Sequence, residues 1–307
     1  MSLQVDHALG RSVTVCTGDV ALFTYVYRPD TPRLESPKPY VHPIRTLAGD
    51  VVSVFRPHDH VWHKGIAWSL PHVGEHNFWG GPTYVHGGSY VQLDNNGSAV
   101  HRWMTNLSTD GDTASLAHEL DWISQQGDMV IDEHRTLTAA LVDDQTWTLV
   151  FDTAMTNVSG GTLTLGSPTT NGRENAGYGG LLWRGPRSFT GGTVQSPDAV
   201  GADDLRGTRA EWFAFRGKHD ETGRSSTIVI VDDTGNPRHP PQWFTRSEVF
   251  ACLNPAPFFS AEFELAHGAA IRFRYALVIT AGDHGDEGTA ALADHGRAAL
   301  TRQEWPR

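Results

Sequence analysis

The sequence predicts an all-β protein: one large antiparallel β supersandwich carrying a single C-terminal helix. Three observations lead there. Apolar residues recur at every second position in nearly every patterned segment, the period of a strand with one buried face. The 32 glycines and 17 prolines separate those segments with turn chemistry. Only one stretch, near the C-terminus, has helical periodicity. A chain of 307 residues lies within the size a single β sandwich reaches, so one domain over 1–307 is expected.

The elements follow in chain order. Val20–Tyr27 and Val51–Phe55 read as strands, and the turn signals Asn95-Asn96-Gly97 and Asp110-Gly111-Asp112 precede a third at Ala114–Ile123. Met129–Leu137 is a fourth, with an unusual pattern. Ile131, Glu133, Arg135 and Leu137 share one face, and Val130, Asp132, His134 and Thr136 share the other. Charge on both faces fits a strand lining a solvated cleft or an ion-paired edge strand. In Thr146–Asp152, Trp147, Leu149 and Phe151 share a face; Ser159-Gly160-Gly161 then breaks the chain. Further strands are expected at Thr227–Asp232, which runs into Asp233-Thr234-Gly235-Asn236, and at Ala261–Leu265. In Ile271–Leu277, apolar Ile271, Phe273, Tyr275 and Leu277 alternate with two arginines and an alanine. The helix is expected over Asp286–Arg302, with Asp286 and Glu287 suiting its N-terminal dipole, packed across an end of the sandwich.

Composition narrows the function classes. A formal net charge of −11 with no basic run argues against a nucleic-acid partner. The longest apolar stretches, around Ala276–Thr280 and Thr227–Val231, fall far short of the roughly 20 residues a bilayer requires. The start, Met1-Ser2-Leu3-Gln4-Val5-Asp6, lacks a secretory pattern, so a cytoplasmic protein with Cys16 and Cys252 as reduced thiols is expected.

The densest chemistry lies in Arg56–Gly65, where His58, Asp59, His60, Trp62, His63 and Lys64 crowd together in a chain only 19% charged. Such a cluster is costly to bury unless paired, so it marks a site or a hydrogen-bonded corner. One reading is a metal centre: His58-x-His60 on an extended segment points two imidazoles one way, and His63 joins them to hold a divalent metal. The other is a sugar site without a cofactor. That site needs aromatic platforms, for which Trp62, Trp79, Trp183 and Trp243 are candidates, and hydrogen-bonding groups, for which Arg173, Glu174, Arg184 and His239 are candidates, the guanidinium forks suiting paired acceptors. Glu174, in the polar glycine-rich run Thr170–Gly180, is the candidate general base, with a histidine of the first cluster as acid. The loop Asn236–Trp243, stiffened by Pro237, Pro240 and Pro241, reads as a binding wall.

Four separated segments carry a resemblance. Pro39-Tyr40-Val41-His42-Pro43, Asp59-His60 with His63-Lys64-Gly65, Tyr178-Gly179-Gly180-Leu181 with Arg184, and Asn236-Pro237-Arg238 with Trp243 resemble the bacterial family labelled methane oxygenase PmoA-like. That family is similar to galactose-mutarotase-type sandwiches, whose curved sheets hold a sugar in an open groove. The resemblance therefore implies a galactose-mutarotase-like fold and a small-molecule carbohydrate partner. Relatives read Asp-His-Pro-His-His-Arg-Gly where this chain has Asp59-His60-Val61-Trp62-His63-Lys64-Gly65, so a two-histidine role for His60 and His63 is what carries over. Three functions are expected in turn. The first is an enzyme working by acid–base chemistry at a sugar carbon (a mutarotase, epimerase or lyase) with His60, His63 and Glu174 catalytic and His58, Trp62, Lys64, Arg173, Arg184, Arg238, His239 and Trp243 binding substrate. The second is a metal-dependent oxygenase or hydrolase using His58, His60 and His63. The third is a non-catalytic sugar-binding protein. Self-association into a homo-oligomer is left open.

Overall fold

Two large antiparallel sheets face each other across one core. The protein is described by a computed structural model covering residues 2–302. One sheet has eight strands, in spatial order Gln4–Ala8, Ser12–Thr17, Val20–Val26, Tyr40–Ile44, Ile66–Ser69, Gly180–Arg184, Cys252–Ala256 and Gln242–Arg246. The other has nine, in the order Val200–Gly201, Thr193–Gln195, Trp212–Lys218, Ser225–Asp232, Ala270–Ala281, Thr146–Asn157, Met129–Leu141, Thr113–Ile123 and Ser98–Asp110. A three-stranded and a two-stranded sheet cover part of the periphery. The expected all-β antiparallel sandwich is what forms.

The alternation read from sequence is the alternation that packs. Phe151, Phe273, Tyr275 and Leu277 of the nine-stranded sheet share a core cluster with Trp68, Leu181, Trp183 and Leu253 of the eight-stranded sheet. Trp68, Trp122, Trp147, Trp183 and Trp243 are all fully buried. Each of those indoles finds a partner for its N–H: Met155 Sδ at 3.3 Å, Glu133 Oε2 at 2.6 Å, and the carbonyls of Arg45, Val52 and Ala210 at 2.9, 2.8 and 2.8 Å. A buried indole left without an acceptor would lose about 1–3 kcal/mol of desolvation energy.

Met129–Leu141 departs from both expectations for a strand charged on two faces. It lies inside the sheet, between Thr113–Ile123 and Thr146–Asn157, so it is not an edge, and its inward charges line no cleft. Glu133 and Arg135 are fully buried and bonded twice to each other, at 2.7 and 2.9 Å. Trp122, Thr153 and Tyr25 supply the remaining partners. On the opposite face, Asp132 takes a hydrogen bond from Arg102 at 2.6 Å, and His134 pairs with Glu119 at 2.8 Å.

Other boundaries shift. Val51–Phe55 is not a strand; it makes only isolated bridges from Val51 to Arg45 and from Phe55 to Lys64, because the chain must leave the sheet to form the loop that follows. In the segment expected over Ala261–Leu265, only Phe263–Leu265 is extended. The helix spans Gly285–Arg302 as expected, but it lies against the outer face of the nine-stranded sheet instead of across an end. Leu292, Ala293 and Leu300 pack there on Trp212, Val229, Val231 and Val278. Gly296 permits the approach: a Cβ at that position would stand 2.5 Å from Val231 Cγ2.

Among the described residues, no helix is long and apolar enough to cross a membrane.

Candidate functional site

The site is built on the outer face of the eight-stranded sheet, at its Gly180–Arg184, Cys252–Ala256 and Gln242–Arg246 end. Strand parity selects its floor. Leu181, Trp183, Trp243 and Leu253 point into the sandwich, so Leu182, Phe244, Arg246 and Cys252 point outward and floor a cavity of about 410 Å³. One wall is the His60–His63 loop, another is Trp79–Pro82, and Tyr90, Arg173 and Tyr178 form a third; Val249 and Phe250 of the hairpin between the last two strands close it.

Local backbone requirements fix the histidine loop. His60 N–H bonds to Pro57 O at 3.1 Å and His63 N–H to His60 O at 2.9 Å, two successive tight turns, and Arg56 N–H closes the loop on His63 O at 3.0 Å. Gly65 ends it with φ +59°, where a Cβ would stand 2.2 Å from Val41 O. Only glycine fits there. The opposing wall is equally constrained: Cβ atoms on Gly80 and Gly81 would fall 2.7 Å from Trp62, so the indole rests directly on this glycine pair.

Hydrogen bonding gives the two histidines opposite polarity. Arg184, 1% exposed, donates from Nη1 to His63 Nδ1 at 3.0 Å and from Nη2 to both Asp59 oxygens at 3.0 and 3.2 Å. A guanidinium has no acceptor, so His63 Nδ1 must carry the lone pair and Nε2 the proton. Asp59 Oδ2 lies 3.0 Å from His60 Nδ1. Burial alone would raise the Asp59 carboxyl, but hydrogen bonds from Arg184 and His60 outweigh it and bring it down to about 2. An ionised carboxylate only accepts, so His60 Nδ1 donates and its Nε2 is left as an acceptor. Burial lowers the His60 pKa, and burial with the surrounding His60, Arg184, Lys38 and Lys64 holds His63 well below the usual imidazole value. Both rings are therefore neutral near pH 7. They stack at 4.8 Å with an interplanar angle of 15°, one offering an acceptor and the other a donor.

A buried ionic layer supports this wall from behind. Glu35, 1% exposed, pairs with Lys64 at 2.9 Å and with Arg56 at 2.7 Å. Lys38 spends its three donors on the carbonyls of Glu35, Ser36 and Trp79 at 3.0, 3.0 and 2.7 Å, tying the two walls together. Two further groups of the cavity stay protonated: burial pushes the Cys252 thiol up to about 11 and the Tyr178 phenol well above its ordinary value. A thiol held in that form is no nucleophile at neutral pH.

Of the residues expected from sequence, His60, Trp62, His63, Trp79 and Arg173 line the cavity together. Arg184 and Lys64 lie directly behind them, buried in ion pairs. The rest go elsewhere. His58 is exposed on the outside of its turn. Glu174 is exposed and lines no part of the cavity, because Arg173 turns inward to the Tyr90 hydroxyl and the next side chain is left on the solvent side. Trp243 is a core residue, stacked on Phe213 at 4.8 Å, and Trp183 is likewise buried in the core. Arg238 is consumed by the carbonyls of Pro257, Ala261 and Glu262. His239 pairs with Asp232 at 2.6 Å in a separate shallow cleft beside the helix. Sequence reasoning missed Arg246, Phe244 and Phe250, although Phe244 and Arg246 stand at alternating positions of a strand. It also gave no role to Glu35 or Lys38, which lie far from the histidine cluster in sequence.

The metal reading does not assemble. Among the described residues, no group of three His, Cys, Asp or Glu side chains is placed to hold an ion. His58 faces away, His63 Nδ1 is engaged by a cation, and His60 Nδ1 is engaged by Asp59.

Comparison with known proteins places the chain in a family. Residues 12–294 match the family described as "Family of unknown function (DUF6807)", and the chain belongs to it. This corrects the PmoA-like resemblance: the family that matches has no established function, and nothing in the comparison supports a PmoA-like one. No curated protein matches the sequence. Among solved structures, a putative aldose 1-epimerase from Klebsiella pneumoniae is similar at 10% identity, with 99% of this chain and 88% of that one covered and a TM-score of 0.41. A galactose 1-epimerase from Lactobacillus acidophilus is similar at 8% identity, with coverages of 92% and 100% and a TM-score of 0.40. An α-galactosidase from Lactobacillus brevis is similar at 12% identity and a TM-score of 0.38; the match covers 92% of this chain and only 40% of that enzyme's length. Likeness at this level carries no argument about chemistry.

Proposed function

We propose that this protein is an enzyme acting on a small carbohydrate by acid–base chemistry at a sugar carbon, of the isomerase or lyase type. The observation that carries the reading is the stacked pair of neutral imidazoles with opposite hydrogen-bonding polarity, fixed by Asp59 and Arg184, in a cavity with aromatic walls. His60, oriented by a carboxylate, is the base: its free Nε2 takes a proton from the substrate, and Asp59 stabilises the imidazolium that results. His63 donates from Nε2–H to the substrate oxygen on which negative charge develops, and Arg184 prevents the tautomer change that would remove that donor. Trp62 supplies an amphipathic ring face for the apolar side of a sugar. Glu174 has no part in this scheme.

The test is turnover of a panel of neutral aldoses and their acidic derivatives, followed by polarimetry for anomeric change and by proton NMR in D2O for exchange at carbon. Turnover is expected, and His60→Ala should reduce it by about 10²–10⁴-fold, the usual weight of a positioned base. His63→Ala should also reduce it in the folded fraction, at some cost in melting temperature because Arg184 Nη1 loses its buried acceptor. Ligand binding without turnover of any kind would replace the enzymatic reading with non-catalytic sugar binding.

A further inference from the structure

We infer that the cavity takes a monosaccharide bearing an anionic group, a carboxylate or a phosphate, seated between Arg173 and Arg246. The saccharide half rests on the function proposed above; the anionic half rests on the arginines alone.

Many arginines of this acidic chain face carboxylates: Arg56, Arg135, Arg184, Arg224, Arg272 and Arg297 each stand in an ion pair. The two that line the cavity do not. Arg246, on the outward face of Gln242–Arg246 and partly buried, has no side-chain hydrogen bond or ion pair among the described residues. Its guanidinium rests only near the rings of Phe244 and Phe250, at 5.5 and 5.6 Å from their centroids. Arg173 bonds to the Tyr90 hydroxyl and lies 4.8 Å from that ring, with no carboxylate partner. No aspartate or glutamate lines the cavity.

The acids nearest by are already committed. Asp203 is held by Arg206 and by the N–H groups of Ser247 and Glu248. Asp59 is held by Arg184 and His60. Two cations partly withdrawn from water, with no carboxylate bonded to either, leave forked guanidinium donors for an incoming oxyanion. The remaining walls are aromatic, which suits a ring with one apolar face, and about 410 Å³ lies at the small end of small-ligand pockets.

The test is isothermal titration of the full chain with D-glucuronate, D-galacturonate, D-glucose 6-phosphate, D-glucose, D-galactose and benzoate, repeated for Arg246→Gln and Arg173→Gln. A sugar acid or sugar phosphate should bind at least about tenfold more tightly than its neutral parent, and each Gln variant should lose about 10- to 100-fold for the anion alone. The order of uronate and phosphate identifies which anion the arginines seat. The melting temperature of Arg246→Gln should match the wild type, since the side chain bonds to nothing in the protein. Neutral sugars binding as tightly as the acids, or Arg246→Gln binding glucuronate at wild-type strength, would overturn the inference and leave the carbohydrate reading standing. Benzoate binding as tightly as the uronates, with the same loss in Arg246→Gln, would support the arginine seat and sink the carbohydrate reading. No binding by any of the anions overturns the inference.

Discussion

Replacing Arg184 by methionine tests the electrostatic frame of the site, because one guanidinium holds both Asp59 and the His63 tautomer. Methionine keeps most of the buried volume against Phe250, whose ring centroid lies 3.6 Å from the guanidinium carbon, and removes the charge. Breaking a fully buried ion pair costs about 3–5 kcal/mol; Asp59 is 23% exposed, so water takes over part of the lost bonding and about 2–3 kcal/mol is expected near neutral pH. Part of this cost depends on pH. The Asp59 carboxyl is lowered from 3.8 to about 2, and at 1.36 kcal/mol per unit that shift stabilises the fold by about 2 kcal/mol, or about 1 after solvent screening. A group with a depressed folded pKa contributes fully above its unfolded value and loses its contribution as pH falls through the folded one. The gap between wild type and Arg184→Met should therefore be widest above about pH 5 and narrow by about 0.5 kcal/mol by about pH 3, where roughly half of the pH-dependent part is lost. Urea unfolding of both proteins from pH 7 to pH 3 measures it. The same substitution removes a cation that depresses both His60 and His63, so both imidazoles should titrate at higher pH by NMR. A gap independent of pH, together with unmoved histidine titrations, would refute the assigned hydrogen-bond polarity.

Two more predictions follow from buried charge. If His60 acts as an unprotonated base, turnover should hold steady from pH 8 to pH 7 and fall only in more acidic solution, because burial lowers its pKa from the usual imidazole value; a decline beginning above pH 7 would contradict the role. Glu133→Gln strands the Arg135 cation in the core and should cost about 3–5 kcal/mol in urea unfolding, while ligand affinity in the folded fraction stays unchanged.

The fold was legible because its signal is local and repeated. Ile271 to Leu277 and Trp147 to Phe151 state their faces by alternation, and the Gly285–Arg302 helix stands out against a background of strands. The Glu133–Arg135 pair was not legible as core, since parity shows that two charges share a face but not that the face is buried. The site divides in the same way. His60, Trp62 and His63 lie within one loop, so their density shows in the sequence; the floor comes from distant strands whose outward residues look like any other alternation. Trp243 shows the consequence. Read as the end of a proline-stiffened loop, it belongs to the wall; with the strand beginning at Gln242, it points inward and Phe244 points to the cavity. Adjacent aromatics thus acquire opposite duties. Trp243→Ala removes a fully buried indole with its 2.8 Å bond to Ala210 O, and should cost about 3–5 kcal/mol without changing ligand affinity in the folded fraction. Phe244→Ala removes part of the cavity floor and the ring beside Arg246, and should weaken ligand binding measured by titration calorimetry. If Trp243→Ala weakens binding while Phe244→Ala leaves it intact, the face assignment is reversed, and the cavity cannot be the site.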